Sequence, residues 1–198
     1  MKLFYTQNSP YARRPRLVAR TARLEIEEVD MSPLADRVGE LLDLGPGGKV
    51  PGLLTDSGVY LTETLLITRY LNDAAGGKLT PREADRAEKV LEMEGIGSLL
   101  MDSLFTRSHE KRRDDGEKSQ ALIDKEGARA ARCYDALNER LTNQPTVLDF
   151  GTIAAISALG YADWRHADDN WREGRPGLAN WFNEMMVNPA VAETAPKF

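Results

Sequence analysis

The first third of the chain alternates short apolar runs with amphipathic stretches, a pattern that indicates strands and helices in turn. Residues 2–6 are a β-rich run, and the pattern predicts a helix from residue 10 to about residue 23. Residues 24–29 alternate apolar and acidic side chains, which predicts a strand, and a short helix over 36–44 follows. Two more strands flank residues 56–58 as a hairpin, and a helix runs from Thr64 to about residue 74. This order, βαβαββα, predicts an α/β thioredoxin-like domain.

Beyond residue 75 the apolar positions follow helical periodicity alone. Gly76, Gly77 and Pro81 lie in a predicted linker over residues 76–84. The stretches after it carry apolar stripes, which are typical of helices that pack in a bundle. We therefore predict a thioredoxin-like domain over residues 1–75 and an all-helical domain over residues 85–198. Its helices are predicted at 84–109, 118–141, 150–164 and 177–187.

Composition narrows the class of protein. The 198 residues are 41% hydrophobic and 29% charged, which suits a globular protein with a substantial core. A net charge of −5 argues against a general nucleic-acid binder. The longest apolar stretch, residues 153–162, is too short for a membrane span, and the first residues do not resemble a secretory signal. Cys133 is the single cysteine, so no internal disulfide can form. We expect a cytoplasmic protein without nucleic-acid or membrane partners.

The turn before the first helix, Ser9-Pro10-Tyr11-Ala12, is the first candidate for chemistry. A helix N-terminus presents free N–H groups and the positive end of the helix dipole, which stabilise an anion. Redox proteins of this fold place Cys-x-x-Cys at this turn, but no sulfur is present here, so disulfide exchange by the turn is excluded. The Ser9 hydroxyl suits hydrogen bonding to a thiolate that arrives on a ligand. The simpler interpretation of Ser9 alone is a helix cap.

Two further signals follow in the same domain. Lys49, Val50 and Pro51 precede a strand, and a cis peptide before Pro51 would leave the Val50 backbone free to pair with an extended peptide. Lys49 would meet a carboxylate, although a turn with a solvated lysine explains these residues equally well. Glu63 and Thr64 open a helix and suit an α-amino-acid head group, since a hydroxyl and N–H groups bind its carboxylate and Glu63 its ammonium. A threonine cap beside a glutamate is the alternative.

Each signal is weak alone. The order and spacing of the three within one βαβαββα unit favour a functional site over three unrelated structural features. The chain resembles the cytosolic glutathione transferase superfamily over nearly its full length, and within it a bacterial subgroup with serine at the first turn. Besides the three segments above, four segments of the second half resemble the family's helical domain. They are Gly151-Thr152-Ile153-Ala154, Ala158-Leu159-Gly160-Tyr161, residues 175–181 and Asn188-Pro189-Ala190-Val191.

The resemblance implies a role for each residue of the first domain's site. Ser9 would stabilise the glutathione thiolate, and Val50 would pair with the cysteinyl backbone. Lys49 would face the glycine carboxylate, while Glu63 and Thr64 would hold the γ-glutamyl head. The implied reaction is attack of the thiolate on a small hydrophobic electrophile or a peroxide, in a homodimer that uses glutathione as co-substrate and no metal.

The second domain is expected to shape the pocket for the second substrate. Its first long helix supplies Ser103, Leu104 and Arg107 as candidates, with Tyr11 of the first domain. A core stripe is the simpler interpretation for most of this helix.

Three departures from the family's pattern bear on these expectations. Thr64 stands where the family usually has serine, which keeps the hydroxyl. Pro15 lies in the second turn of the first helix, where it removes a hydrogen bond and is expected to kink or loosen the helix and shift Ser9. At the start of the third predicted helix of the second domain, Asp149 and Thr152 invert the usual order of a capping box, so we expect the reciprocal carboxylate bond to be lost.

Other polar residues received structural interpretations. Five arginines on the first helix suit a solvated face better than attraction of the anionic tripeptide or pairing across a dimer. Neither histidine lies in a metal motif. Cys133 is expected to pack in the core. The five arginines are Arg13, Arg14, Arg16, Arg20 and Arg23.

Two other hypotheses remain for the function. The chain would be a non-catalytic module that keeps the fold for assembly or regulation, an alternative that Pro15 and the altered capping box favour slightly. It would otherwise be a glutathione-dependent isomerase or reductase.

Overall fold

The computed structural model describes residues 1–197, which form two compact units. Residues 1–79 and 190–197 make up the first unit, and residues 80–189 make up the second. The sequence assigned the whole of 85–198 to the helical domain, whereas the last segment packs with the first unit. Arg13 contributes to this packing, because its Nη2 donates to the Val191 carbonyl at 3.0 Å and its Nε to the Thr194 hydroxyl at 3.4 Å.

The first unit has the predicted thioredoxin-like arrangement. Its four strands form one sheet in the order β2-β1-β3-β4, with β1 and β2 parallel and the other pairs antiparallel. The elements are β1 (Lys2–Tyr5), α1 (Pro10–Ala22), β2 (Glu27–Asp30), α2 (Leu34–Leu42), β3 (Gly52–Leu54), β4 (Tyr60–Thr62) and α3 (Thr64–Ala74). The carboxyl end of β1 thus leads directly into the turn at Ser9.

The second unit is helical, as predicted. Its elements are α4 (Ala84–Lys111), α5 (Gln120–Leu141), α6 (Phe150–Arg165) and α7 (Pro176–Met185). A 3-10 turn at Ala167–Asp169 and a short helix, α8 (Pro189–Glu193), which leads out of this unit, were not predicted. Within the described part of the chain, each helix is too short or too polar to serve as a membrane span.

Helix α6 is the centre of the second unit, since every residue from Phe150 to Ala162 is buried. It lies very close to α4 at two glycines. A Cβ atom on Gly97 would lie 2.8 Å from the Ala154 Cβ, and one on Gly151 would lie 2.7 Å from the Met93 Cβ. The two helices therefore approach each other only because these positions lack a side chain.

The start of α6 corrects one expectation. The Asp149 carboxylate accepts from the Thr152 N–H at 2.9 Å, and the Thr152 hydroxyl accepts from the Asp149 N–H at 2.9 Å. The reciprocal bond that the sequence predicted to be lost is therefore present, because a hydroxyl replaces the usual carboxylate.

The arginines of α1 correct a second expectation. Three of the five are buried rather than solvated, and Arg13 is only 2% exposed. Arg16 donates to Glu28 at 3.0 Å and lies over the Tyr5 ring, with its Cζ 4.0 Å from the ring centroid. Arg20 shares Glu28 at 3.0 Å and reaches Glu193 at 2.7 Å. These side chains fasten α1 to β1, β2 and the last helix, so packing rather than solvation explains them.

Candidate functional site

Ser9 occupies the N-cap position of α1. Its hydroxyl accepts a hydrogen bond from the Ala12 N–H at 3.1 Å, and its side chain is half-buried. A hydroxyl has two lone pairs and one proton, and capping uses only a lone pair. Within residues 1–197 no acceptor takes the Ser9 proton. The cap and a hydrogen bond from Ser9 to a ligand are therefore compatible.

The first turn of α1 leaves its positive end uncompensated. Pro-Tyr-Ala-Arg follows Ser9, so the turn has no carboxylate. The dipole of the helix and the N–H groups of its first turn favour an anion beside Ser9. That the turn stabilises an anion stays a prediction.

The segment before β3 has the predicted backbone form. The Val50–Pro51 peptide is cis, and Pro51 is buried while Val50 is half-buried. Among residues 1–197, neither backbone group of Val50 has a hydrogen-bond partner. Lys49 is exposed and, within the same residues, makes no ion pair. The Ser32–Pro33 peptide is also cis, which the sequence analysis did not anticipate.

The start of α3 differs from the sequence interpretation in one respect. Glu63, not Thr64, is the N-cap residue, and its side chain makes no capping bond. Glu63 has a φ of 71°, a value that side-chain-bearing residues rarely adopt. Such conformations concentrate at functional sites, where the surrounding fold maintains them. Glu63 itself is exposed, whereas Thr64 is 5% exposed.

Helix α1 runs through Pro15 without a break, from Pro10 to Ala22. Pro15 has no N–H, so it cannot donate to the carbonyl of Tyr11, four residues earlier. The Thr64 hydroxyl donates to that carbonyl instead, at 3.3 Å. Sequence reasoning missed this contact, although the spacing from Pro15 identifies which carbonyl needs a substitute donor.

The residues predicted for a second-substrate pocket are described within their own units. Tyr11 is half-buried in the first unit. In the second, Ser103 and Leu104 are fully buried, and Arg107 is buried with its Nη1 2.9 Å from the Asp169 carboxylate. Arg107 thus holds the 3-10 turn after α6, a partner the sequence did not indicate. A pocket-lining role for these residues stays a prediction.

His166 and the single cysteine have structural surroundings. His166 is buried, and its Nε2 lies 2.9 Å from the Leu104 carbonyl oxygen. Burial lowers its pKa to about 4, with help from the nearby Arg107 charge. Burial also raises the pKa of the Cys133 thiol, which agrees with the predicted core position.

Comparisons with known proteins agree with this fold and arrangement. Residues 8–74 match the family model of the glutathione S-transferase N-terminal domain. A solved glutathione S-transferase from Methylobacillus flagellatus KT, with GSH bound, is 28% identical with a TM-score of 0.91, over 99% of each chain. A glutathione transferase family member from Pseudomonas fluorescens Pf-5, with bound glutathione, is 27% identical with a TM-score of 0.88, over 100% of this chain and 99% of that one.

Residues 8–74 therefore match the glutathione S-transferase N-terminal family, and the full-length likeness to solved glutathione transferases supports the cytosolic glutathione transferase superfamily. A curated relative, the GST-like protein YibF of Escherichia coli K12, is 24% identical over 99% of this chain and 98% of its own. These similarities extend over both units. The superfamily resemblance drawn from the short segments of the sequence is thereby confirmed.

Proposed function

We propose that this chain is a glutathione-dependent transferase that binds glutathione in its first unit and stabilises the thiolate through Ser9. The observation that carries the proposal is the geometry of Ser9, which caps α1 with a lone pair and keeps its proton for a ligand. The glutathione-bound relatives support glutathione as the ligand.

The other residues of the proposed site recognise the rest of the tripeptide. The unpaired backbone of Val50, beside cis-Pro51, would pair with the cysteinyl backbone as an added strand does. Lys49, exposed and without an ion-pair partner within residues 1–197, would meet the glycine carboxylate. Glu63 would accept the γ-glutamyl ammonium at the start of α3, where Thr64 lies.

The turn at Ser9 can supply the free energy needed to lower the pKa of the bound thiol. A thiol pKa of about 8.5 falls by two units if the thiolate gains roughly 2.7 kcal/mol of preferential stabilisation. One hydrogen bond to a charged group contributes roughly 1.5–3 kcal/mol, and a helix N-terminus up to about 1 kcal/mol. Ser9 and α1 together therefore suffice without a metal or a second base.

The thiolate would then react with a small hydrophobic electrophile. Sulfur forms a bond to the electrophilic carbon, and a leaving group departs with its electron pair. With a peroxide, sulfur attacks the terminal oxygen, and the O–O bond breaks so that the other oxygen leaves with the electron pair and takes a proton to form an alcohol. A second glutathione then converts the sulfenic acid to a disulfide and water. The second unit would supply the pocket for this substrate.

The hypothesis of a non-catalytic module loses the two features that favoured it. Helix α1 is continuous through Pro15, and the capping box of α6 is reciprocal. A glutathione-dependent isomerase or reductase would use the same thiolate. A panel of haloaromatic, peroxide and isomerisable substrates separates these reactions.

The test is a titration of glutathione binding, followed by the pKa of the bound thiol from its ultraviolet thiolate absorbance. We expect binding at millimolar concentration or below, and a bound-thiol pKa well under that of free glutathione. Ser9→Ala is expected to raise this pKa by at least one unit. Absence of binding by the wild-type protein would refute the proposal.

Ser119→Ala is the matched control for the loss of a cap. Ser119 caps α5 as Ser9 caps α1, accepting from the Leu122 N–H at 3.3 Å. Both variants lose a serine cap, so both are expected to lose some stability. Only Ser9→Ala should change the bound-thiol pKa, and an equal change in the two variants would assign Ser9 a structural role.

We also propose that the protein is a homodimer. Helix α3 exposes Leu65, Leu66 and Tyr70, and α4 exposes Leu91 and Leu99. Leu66 and Tyr70 lie four residues apart on one face of α3, and neighbouring exposed apolar side chains are typical of association surfaces. Sedimentation equilibrium should give twice the chain mass, and Leu66→Glu should shift the protein toward the monomer.

A further inference from the structure

We propose that Thr64 is a positioning residue for Ser9, and that it has this role because Pro15 cannot donate a backbone hydrogen bond. The inference rests on the proposed binding of glutathione. It differs from the role that the family resemblance implies for Thr64, which is direct contact of its hydroxyl with the γ-glutamyl carboxylate.

The geometry joins the two residues through a single peptide group. The Thr64 hydroxyl donates to the Tyr11 carbonyl at 3.3 Å. The N–H of the same peptide group belongs to Ala12, and it donates to the Ser9 Oγ at 3.1 Å. Hydrogen bonds in a chain polarise one another, so donation to the carbonyl makes the Ala12 N–H a stronger donor. Ser9 in turn becomes a better donor to a thiolate.

The position of Pro15 explains why α3 supplies the donor. In an α-helix the N–H of residue 15 bonds the carbonyl of residue 11, and proline has none. Thr64 is 5% exposed, so its hydroxyl is held against α1 rather than turned to solvent. Two departures from the family's pattern, Pro15 and Thr64, thus meet at one carbonyl.

The number of protons on Thr64 limits what else it can do. A hydroxyl has one proton, and a proton given to Tyr11 is not given to a ligand carboxylate. The first N–H groups of α3 have no acceptor within the helix, and the Glu63 side chain does not cap them. The γ-glutamyl carboxylate can therefore bind these backbone groups while the Thr64 hydroxyl stays on Tyr11.

A double-mutant cycle tests the inference, with Thr64→Val, Pro15→Ala and the combined variant. Thr64→Val removes the hydroxyl at nearly constant shape, and Pro15→Ala restores an N–H four residues after Tyr11. We expect Thr64→Val to raise the pKa of the bound glutathione thiol by roughly half a unit or more. In the Pro15→Ala background the same change should have little effect. Thr64→Ser should behave as the wild-type protein does.

The opposite outcome has a distinct signature. If Thr64→Val weakens glutathione binding equally in both backgrounds and leaves the thiol pKa unchanged, Thr64 is a direct ligand and the inference is wrong. Thr68→Val is the matched control, because the buried Thr68 hydroxyl on the same helix donates to the Leu65 carbonyl at 2.8 Å and lies outside the proposed site. Thr68→Val should show no dependence on residue 15.

The cycle separates failure of the inference from failure of the proposed function. Absence of glutathione binding by the wild-type protein would overturn the proposed function and this role together. The hydrogen bond itself is still measurable without ligand, from urea unfolding midpoints. Thr64→Val should lower the midpoint more with Pro15 than with Ala at position 15, and equal shifts would show that the Thr64–Tyr11 bond does not compensate for Pro15.

Discussion

Helices α1 and α6 both begin at a side chain that caps them. They differ in whether the capping group keeps an unused hydrogen-bond donor. At α6, Asp149 and Thr152 satisfy each other's backbone N–H groups, and the Thr152 hydroxyl also donates to the Val147 carbonyl at 2.8 Å. At α1, Ser9 accepts one bond and its proton has no acceptor within residues 1–197. The backbone N–H groups at the start of α6 are bonded within the chain, whereas the start of α1 keeps a hydrogen-bond donor for a ligand.

The same difference extends along the two helices. Helix α6 is buried from Phe150 to Ala162 and fits against α4 where glycine replaces a side chain. Helix α1 needs partners from elsewhere in its unit, such as Glu28 for Arg16 and the Thr64 hydroxyl for the Tyr11 carbonyl. A helix that stabilises a fold completes its own hydrogen bonds, whereas a helix that presents a site relies on neighbours to hold it.

The closed packing of α6 predicts the largest effect. Gly97→Ala should destabilise the protein by about 3 kcal/mol, because the new Cβ would lie 2.8 Å from both the backbone carbon and the Cβ of Ala154. Urea unfolding measures the change. Gly95→Ala on the same helix is the control, since nothing lies within 4 Å of its Cβ position. It should stabilise the protein by about 0.5–1 kcal/mol through helix propensity.

The end of α6 predicts a pH dependence. Burial holds the pKa of His166 at about 4 in the folded protein, against 6.5 ordinarily. The unfolded chain therefore binds a proton below pH 6.5 that the folded chain takes up only near pH 4, so stability falls as pH falls through this window. Relative to wild type, His166→Gln should remove about 3 kcal/mol of the loss of stability from pH 7 to pH 4.

His109→Gln serves as the comparison. The pKa of His109 is lowered by partial desolvation, in the same direction as that of His166, but His109 is exposed rather than buried. Urea unfolding from pH 7 to pH 4 should show a smaller change for this variant. Parallel pH profiles for wild type and His166→Gln would mean that His166 is protonated as readily in the folded chain as in the unfolded one.

The two caps themselves predict an intermediate effect. Asp149→Ala should cost about 1–2 kcal/mol, because the carboxylate accepts from both the N–H and the hydroxyl of Thr152 and both bonds are lost. Ser9→Ala should cost less, about 1 kcal/mol at most, since one bond at a half-buried position is lost. Chemical unfolding at neutral pH measures both changes in the free energy of unfolding. If Ser9→Ala proves the costlier change, the contrast between a closed and an open N-terminus fails.

The end of α1 predicts the smallest effect. Arg23 caps the helix with a φ of 55°, and the Leu24 N–H bonds the Ala19 carbonyl at 2.9 Å, as in a Schellman motif. Glycine adopts this conformation without a Cβ penalty, so Arg23→Gly should stabilise the protein by about 0.5–1 kcal/mol. Ala22→Gly, one residue earlier and still helical, should destabilise it by a similar amount. Thermal unfolding distinguishes the two signs.

Local patterns predicted most of the fold because each element carries its own signal. Helix α3 has the predicted bounds, 64–74, since Thr64 follows a hairpin and glycines follow the helix. Strand β2 starts at Glu27 rather than residue 24, because α1 ends in a turn at Arg23 and Leu24 that alternation does not reveal. The short helix α8 was missed because five residues contain too little periodicity for prediction.

The candidate site was predictable only in part. The positions of Ser9, Val50 and Glu63 follow from the order of strands and helices, and the cis peptide before Pro51 was anticipated. The conformation of Glu63 and the buried state of Arg13 were not, because both depend on residues distant in the chain. Arg13, for example, is buried by contacts with Val191 and Thr194.

The sequence by itself determined the order of elements, the absence of sulfur at the first turn, and the missing N–H of Pro15, since these depend on residue identity and local geometry. Tertiary structure alone decided that Thr64 compensates for Pro15, that the α1 arginines are buried, and that residues 190–197 join the first unit. Hydrogen bonds and ion pairs between distant residues decide these points, and their partners become neighbours only when the chain folds.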